Sequence, residues 1–325
     1  VSGFLDSNDS KKTGLIQVDT DGLWVIFQHF CQPYDQKEDI LYESALPRFL
    51  DLFDYYNIKA TFFVVGKDLL YPKRLALLKE TVKRGHEIAN HSMTHAEGFS
   101  FLTYKEKLRE IEDAENIIHD KLGVLTKGFR TPSNDVDSVV LKILEDKGYT
   151  YDSSLLPTYY GPLIKRLKFS SLRILRKSHY LGRFKYGFSP LEPYHPHEDK
   201  LWKKGDLKII EIPITTMPGP RLPFHASFTF AAYQIGLGYA LFNLGYMLLK
   251  MTPHSLNFVF HTNELSDPIK DQKLKRQYGL GITLKDKFKL CNHMLSNIIS
   301  DYDIITSLEY ATSMRNNKYN NADKQ

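Results

Sequence analysis

Two short ionisable clusters hold most of the chemistry open to this chain: Asp19-Thr20-Asp21-Gly22 and His91-Ser92-Met93-Thr94-His95, each following an apolar run. Asp19 and Asp21 are spaced i and i+2, so both leave the same side of an extended strand end. One carboxylate can bind a cation while its neighbour takes protons. His91 and His95 are spaced i and i+4, which one helical turn would bring onto a single ion. Two histidines and one carboxylate leave a coordination position open, the stoichiometry of a catalytic rather than a structural zinc-type site. Taken singly, the first cluster also reads as loop capping and the second as a solvated helix face. Four further segments put a polar or special residue where an apolar strand ends: Gly128-Phe129-Arg130-Thr131-Pro132, Tyr149-Thr150-Tyr151-Asp152-Ser153-Ser154, Glu211-Ile212-Pro213-Ile214-Thr215-Thr216 and Phe258-Val259-Phe260-His261-Thr262.

The elements that must position these residues follow from periodicity. Strands are expected over 15–19, 60–65, 86–90, 128–130, 150–152, 209–214, 257–261 and 303–306, alternating with helices over 44–55, 72–84, 103–122, 135–147 and 284–299. This is the βα alternation of parallel architecture, which gathers chemistry at the carboxyl ends of strands. Thr103 with Glu106 predicts a capping box, Pro72 suits a first helical turn, and Gly85, Gly123 and Gly148 sit where C-terminal caps belong. A single catalytic domain over 15–312 is expected, with an insertion at about 156–204 and a disordered tail over 316–325.

The chain has 325 residues and is 42% hydrophobic, enough for one large core. Two cysteines, Cys31 and Cys291, imply no disulfide framework, and residues 1–14 lack an apolar leader, so a cytoplasmic, reducing location is expected. The net charge of +5 is unevenly placed. Between Lys165 and Lys185 eight cations interleave with apolar residues and no acid, a stretch suited to anions or to the inner face of an anionic membrane. A solvated loop packed by its aliphatic residues explains it equally well. No recognition module accompanies these charges, so nucleic acid is not an expected partner. Residues 228–249 carry no charge, yet polar residues and glycines dilute them, and a buried or surface-lying helix is expected rather than a membrane span.

The ordered set of motifs resembles the polysaccharide deacetylase superfamily, the NodB-like carbohydrate esterases, over roughly residues 15–307: an acidic motif, His-x-x-x-His, Arg-x-Pro, an Asp-bearing strand end and a late His. The resemblance implies an α/β fold, a distorted (β/α) barrel, with one divalent metal ion, usually zinc, and hydrolysis of N-acetyl or N-formyl groups on amino sugars. The spaced pair Asp19-Thr20-Asp21 departs from the commoner adjacent aspartates and resembles the branch of intracellular peptidoglycan-type and lipid-linked sugar deacylases. Ser133 stands where Tyr commonly follows Pro.

On this resemblance Asp21, His91 and His95 are the metal ligands, Asp19 the general base and Arg130 the cation that holds it. His261 would protonate the departing amine, with Asp152 as its ion-pair partner, and the backbone N–H of Ser133 would meet the oxyanion. Asp152 could instead cap its own turn through Ser153 and Ser154. His225 either touches sugar or is structural, His179 and His293 are read as structural, and the run 194–198 is expected to border the substrate groove. The expected partner is an amino-sugar or glycan substrate, lipid-linked or polymeric. Two other readings fit the same fold: a carbohydrate-binding scaffold with little activity, or a hydrolase of a small non-sugar amide.

Overall fold

The structure, a computed structural model, describes residues 11–29, 39–163, 183–269 and 279–322. Eight strands form one curled sheet: β1 (Lys12–Asp19), β2 (Thr61–Val64), β3 (Glu87–Asn90), β4 (Gly128–Phe129), β5 (Tyr151–Asp152), β6 (Ile210–Glu211), β7 (Leu256–His261) and β8 (Tyr302–Ile305). The spatial order is β6-β5-β4-β3-β2-β1-β7, with β8 added against β1. Every pairing is parallel. β1 is the hub, because it pairs with β7 over 14–19, with β8 over 12–15 and with β2 over 17–19. Its last six residues are all buried, the mark of a strand covered on both faces.

Helices supply the outer cover. α2 (Ile40–Tyr55) starts at Asp39, whose carboxylate receives the N–H groups of Leu41 and Tyr42, and it presents Phe49 and Phe53 to Phe260 and Phe62 of the sheet. α3 (Pro72–Lys83), α4 (Tyr104–Leu122), α5 (Ser138–Asp146) and α8 (Leu284–Asp301) lie where periodicity places helices. The Thr103–Glu106 capping box forms, and Gly85, Gly123 and Gly148 take positive φ. α1 (Leu23–His29) is a short helix that the sequence did not announce. Residues 228–249 form two helices rather than one, α6 (Ala226–Tyr233) and α7 (Gly238–Lys250). Gly236, at φ +80°, turns the chain between them. α9 (Ser307–Ala322) corrects the expected tail, since residues 316–322 are helical. It starts from a cap between Thr306 and Glu309, and propagation from a capped start adds one bond per residue. The Lys165–Lys185 run lies almost wholly outside the described residues, as do Cys31 and His179.

The two sheet edges, β6 and β7, are drawn together by one side chain. Asn257 Nδ2 donates to the carbonyls of Pro213 (3.1 Å) and Ile212 (3.3 Å) and to Ser153 Oγ (3.1 Å). Its backbone exchanges bonds with Thr215, through Thr215 N–H to Asn257 O and Asn257 N–H to Thr215 Oγ1. Inside the curl, Gln17 Nε2 donates to Ser307 Oγ (2.8 Å) and Thr61 Oγ1 to the same hydroxyl (3.0 Å). The interior therefore combines these mutually bonded polar side chains with an apolar cluster of Leu15, Phe63, Ala89, Tyr151, Ile210 and Ile212. Asn257→Ala removes the edge-to-edge donor and takes from the Pro213 carbonyl its Asn257 hydrogen bond, so it should cost about 1–3 kcal/mol, read as a lower urea midpoint at unchanged slope.

Candidate metal centre and proton-transfer site

The sheet's carboxyl edge gathers the ionisable residues. Parallel register sets Asp19 of β1 against His261 of β7 on one side and Phe63 of β2 on the other. His261 Nε2 lies 3.6 Å from Asp19 Oδ2. Asp19 Oδ1 receives Arg130 Nη1 at 2.5 Å, just past β4. All three guanidinium nitrogens of Arg130 are engaged: Nε donates to Ser153 O (2.7 Å), Nη2 to Ser153 Oγ and Gln17 Oε1, and Cζ lies 4.1 Å from the Phe63 ring centroid. A buried cation needs this many partners, and Asp19 supplies the balancing charge.

The ligand-type residues converge two residues further on. Asp21 Oδ1 stands 3.5 Å from both His91 Nε2 and His95 Nε2, and the three atoms lie within 4.8 Å of one another. A tetrahedral ion at about 2.0–2.1 Å from each donor would separate the donors by about 3.3–3.4 Å, so the spacing fits a zinc-type ion. Asp21 Oδ1 is buried without an ordinary hydrogen bond, facing the two rings. His91 Nδ1–H donates to Arg130 O at 2.8 Å, which leaves Nε2 as the lone-pair nitrogen turned toward Asp21. Burial works against ionised Asp21, but the adjacent His95 and His91 outweigh it and hold its carboxyl well below the usual range. Burial likewise opposes charge on His91, and the nearby Asp21 and Asp19 overcome it and raise its pKa. The cavity thus favours positive charge at the point where the three donors meet.

The two histidines reach this geometry without a helix, contrary to the expectation from their spacing. Residues 91–98 form an irregular loop in which Ser92 (φ 66°) and His95 (φ 51°) are left-handed. Asn90 Oδ1 accepts Ser92 N–H and Ser92 Oγ accepts His95 N–H, and these bonds hold the turn in that strained form. The Asp21 loop is held from the opposite side. Asp39 Oδ2 accepts Leu23 N–H at 2.7 Å, and a Cβ on Gly22 would meet that oxygen at 2.5 Å, so only glycine fits.

Asp152 is not the partner of His261. It accepts Ser154 N–H and Oγ–H, capping its own turn, and shares a hydrogen bond with Glu211, its register neighbour on β6. Burial raises both carboxyls, and the adjacent Asp152 charge pushes Glu211 up further, so the pair favours sharing one proton. His261 is served instead by Ser227, whose Oγ lies 2.9 Å from Nδ1 and donates to Glu264 Oε1 at 2.5 Å. Glu264 Oε2 also accepts His261 N–H at 2.6 Å. Burial pulls the His261 pKa down, but bonded Glu264 and the charges of Asp19 and Asp21 outweigh it and raise it to about 9. The sequence signal for Glu264 was its capping-box spacing, three residues after His261. Ser227 left no comparable signal.

A cavity of about 260 Å³ opens above these groups. Ser133, at φ 58°, and His225 both line it. His225 also caps α6 by accepting Phe228 N–H, so it is structural as well as exposed to a ligand. Residues 194–198 do not border the cavity. Tyr194 bridges Glu211, and His195 Nδ1 bonds Leu207 O, folding that run back on the sheet edge. His293 bonds Asn243, away from the site.

The family profile described as Polysaccharide deacetylase matches residues 35–151. Chitin deacetylase 1 of Cryptococcus neoformans is 36% identical over 104 residues, 32% of this chain and 22% of that protein. The peptidoglycan-N-acetylglucosamine deacetylase of Bacillus cereus is 33% identical over 109 residues, 32% of this chain and 46% of that protein. The chain thus spans less than half the length of these curated relatives. A crystal structure of a protein from Mycobacterium smegmatis superposes with a TM-score of 0.59 at 16% identity, over 96% of this chain and 93% of the other, and shares its fold. The profile match runs through the His91–His95 motif, and over these residues, together with its curled parallel sheet, the chain is similar to the NodB-like polysaccharide deacetylases.

Proposed function

We propose that the protein is a divalent-metal-dependent hydrolase that removes an N-acetyl or similarly small N-acyl group from an amino sugar of a glycan. One observation carries this reading: three donors converge at metal-ligand spacing beside a carboxylate and a histidine held in register on adjacent strands. Asp21, His91 and His95 would hold the ion, zinc by the fit of two imidazoles and one carboxylate. When bound, such an ion lowers the pKa of water and polarises an amide carbonyl. The residues around it divide the proton transfers. Arg130 occupies Asp19 Oδ1, so Oδ2 is the oxygen that takes the water proton. His261, charged at neutral pH, gives a proton from Nε2 to the departing amine, which would otherwise leave as a poor amide anion. Glu264 and Ser227 fix its ring from the Nδ1 side. The N–H of Ser133, a left-handed residue on the cavity wall, would meet the developing oxyanion. Relatives active on chitin and peptidoglycan support a glycan substrate.

The direct test incubates the zinc-loaded protein with N-acetylated chitin and peptidoglycan oligosaccharides and follows loss of acetyl by mass spectrometry. A fully loaded protein that deacylates no amino sugar overturns the reading. His91→Ala and His95→Ala should each lower retained zinc and turnover together, measured by metal analysis after dialysis, and full occupancy in the double variant would remove the ligand assignment. Asp19→Asn should keep zinc yet lose about 10²–10⁴-fold in turnover, because an amide cannot accept the water proton.

The His261–Glu264 contact gives a pH signature with a definite sign. In metal-free protein His261 should titrate near 9 by NMR, since the surrounding anions favour its charged form. Glu264→Gln removes one of those anions, so the titration should move down toward the ordinary histidine range and the protonated fraction at pH 8 should fall. An unmoved titration would show that Glu264 does not act on the ring.

A further inference from the structure

The uncharged segment that lies over the site has one face with no described neighbour. α7 buries Gly238, Phe242, Gly245, Tyr246 and Leu249 against the domain, with Gly245 in contact with Phe224 and Met217. On its other side Ala240, Leu244, Met247 and Met251 follow at i, i+4, i+7 and i+11, one exposed helical stripe. Leu244 is 46% exposed, Met247 53% and Met251 78%, and Ile235, at the α6–α7 turn, is 72% exposed. Single exposed apolar residues need no explanation, whereas a contiguous stripe marks a contact surface.

Two observations say what that contact is. The first is charge. A shallow groove along α8, lined by Lys285, Lys289 and His293 with Tyr56, reaches α7 at Tyr239, while Lys250, at the stripe's C-terminal end, is paired with Asp301 at 3.0 Å. No acidic residue lies anywhere in 226–250. The Asp286 carboxylate, between the two groove lysines in sequence, is engaged with Thr283 at the α8 cap. The second is continuity with the site. Phe228, Ala231 and Gln234 of α6 line the catalytic cavity, and Ile235 is the next residue along the chain. An apolar stripe bordered by cations, and running to the mouth of the cavity, suits a lipid–water interface, where hydrocarbon takes the stripe and anionic headgroups meet the lysines. No helix among the described residues is long and apolar enough to cross a bilayer, so the contact is peripheral.

We infer that the α6–α7 hairpin and the Lys285–Lys289 groove form a docking surface for an anionic lipid membrane, which holds the catalytic cavity at the membrane surface. The exposed residues Leu244, Met247, Lys285 and Lys289 that would meet the membrane lie outside the catalytic cavity, so this proposal and the proposed hydrolysis stand or fall on different measurements.

The test is sedimentation of the full chain with vesicles of 70% neutral and 30% anionic phospholipid, against wholly neutral vesicles, over a range of salt. The parent should bind the anionic vesicles and lose binding as salt rises, because the attraction is screened over about 8 Å at physiological ionic strength. Leu244→Glu with Met247→Glu, both at exposed positions, should cut partitioning by about 10-fold or more while leaving the folding transition unchanged. Lys285→Gln with Lys289→Gln should lower it by about 5-fold per charge and flatten the salt dependence. A parent that stays in the supernatant at every salt overturns the proposal, as does equal binding by the Leu244→Glu, Met247→Glu variant. Analytical ultracentrifugation supplies the remaining arm: a parent dimer that this variant dissociates would assign the stripe to a second copy of the chain, and the membrane proposal would be wrong.

Discussion

The guanidinium of Arg130 is the interaction on which the rest of the site depends. It is buried inside the curl of the sheet, where an unpaired cation would be unsupportable, and its donors reach β1 through Asp19 and Gln17 and the end of β5 through Ser153. Those strands lie on different parts of the curl, so one planar group ties the interior across its width. Its Nη1 also holds Asp19 Oδ1 in place, and its own carbonyl fixes the tautomer of His91. Removing Arg130 would leave a buried carboxylate and unpaired amide and hydroxyl groups together, which is why a substitution there reads on folding as much as on chemistry.

Much of this was visible in the sequence, for identifiable reasons. Parallel strands covered on both faces print as short apolar runs, and all eight expected strands occur, with ends shifted by a few residues. Strand-end chemistry was visible because Asp19, Arg130, Asp152 and His261 each stop such a run. What stayed hidden depends on chain direction after the strand. Asp152 and Glu211 point at each other because β5 and β6 are in register, a pairing that no local pattern contains. His91 and His95 carry helical spacing but sit in a turn made by left-handed Ser92 and His95, neither of them Gly or Asn, so periodicity had nothing to signal it. The break at Gly236 was legible only as a glycine within an apolar segment, one of several.

The partner of His261 shows how a site can keep a charge pattern while changing its source. The ring needs an anion on its Nδ1 side, and the fold supplies it from the same turn, three residues on, with Ser227 bridging from α6. The carboxylate expected for that duty, Asp152, is instead committed to its own turn and to Glu211 behind Arg130. Buried acids are costly to ionise, and pairing them so that one retains its proton lets both remain inside without a second cation.

The register between β1 and β7 has a further consequence for how the molecule comes apart. Asp19 and His261 are set side by side by the backbone ladder of the longest strand pairing in the sheet. Asp21, His91 and His95 rest on short loops beyond the ladder, one of them in a strained conformation. Openings of the folded chain begin in such loops and reach central strands last. On warming, the turns that carry Asp21, His91 and His95 should therefore loosen while Asp19 and His261 are still aligned, so that heat first yields a folded molecule in which the three donor atoms no longer converge.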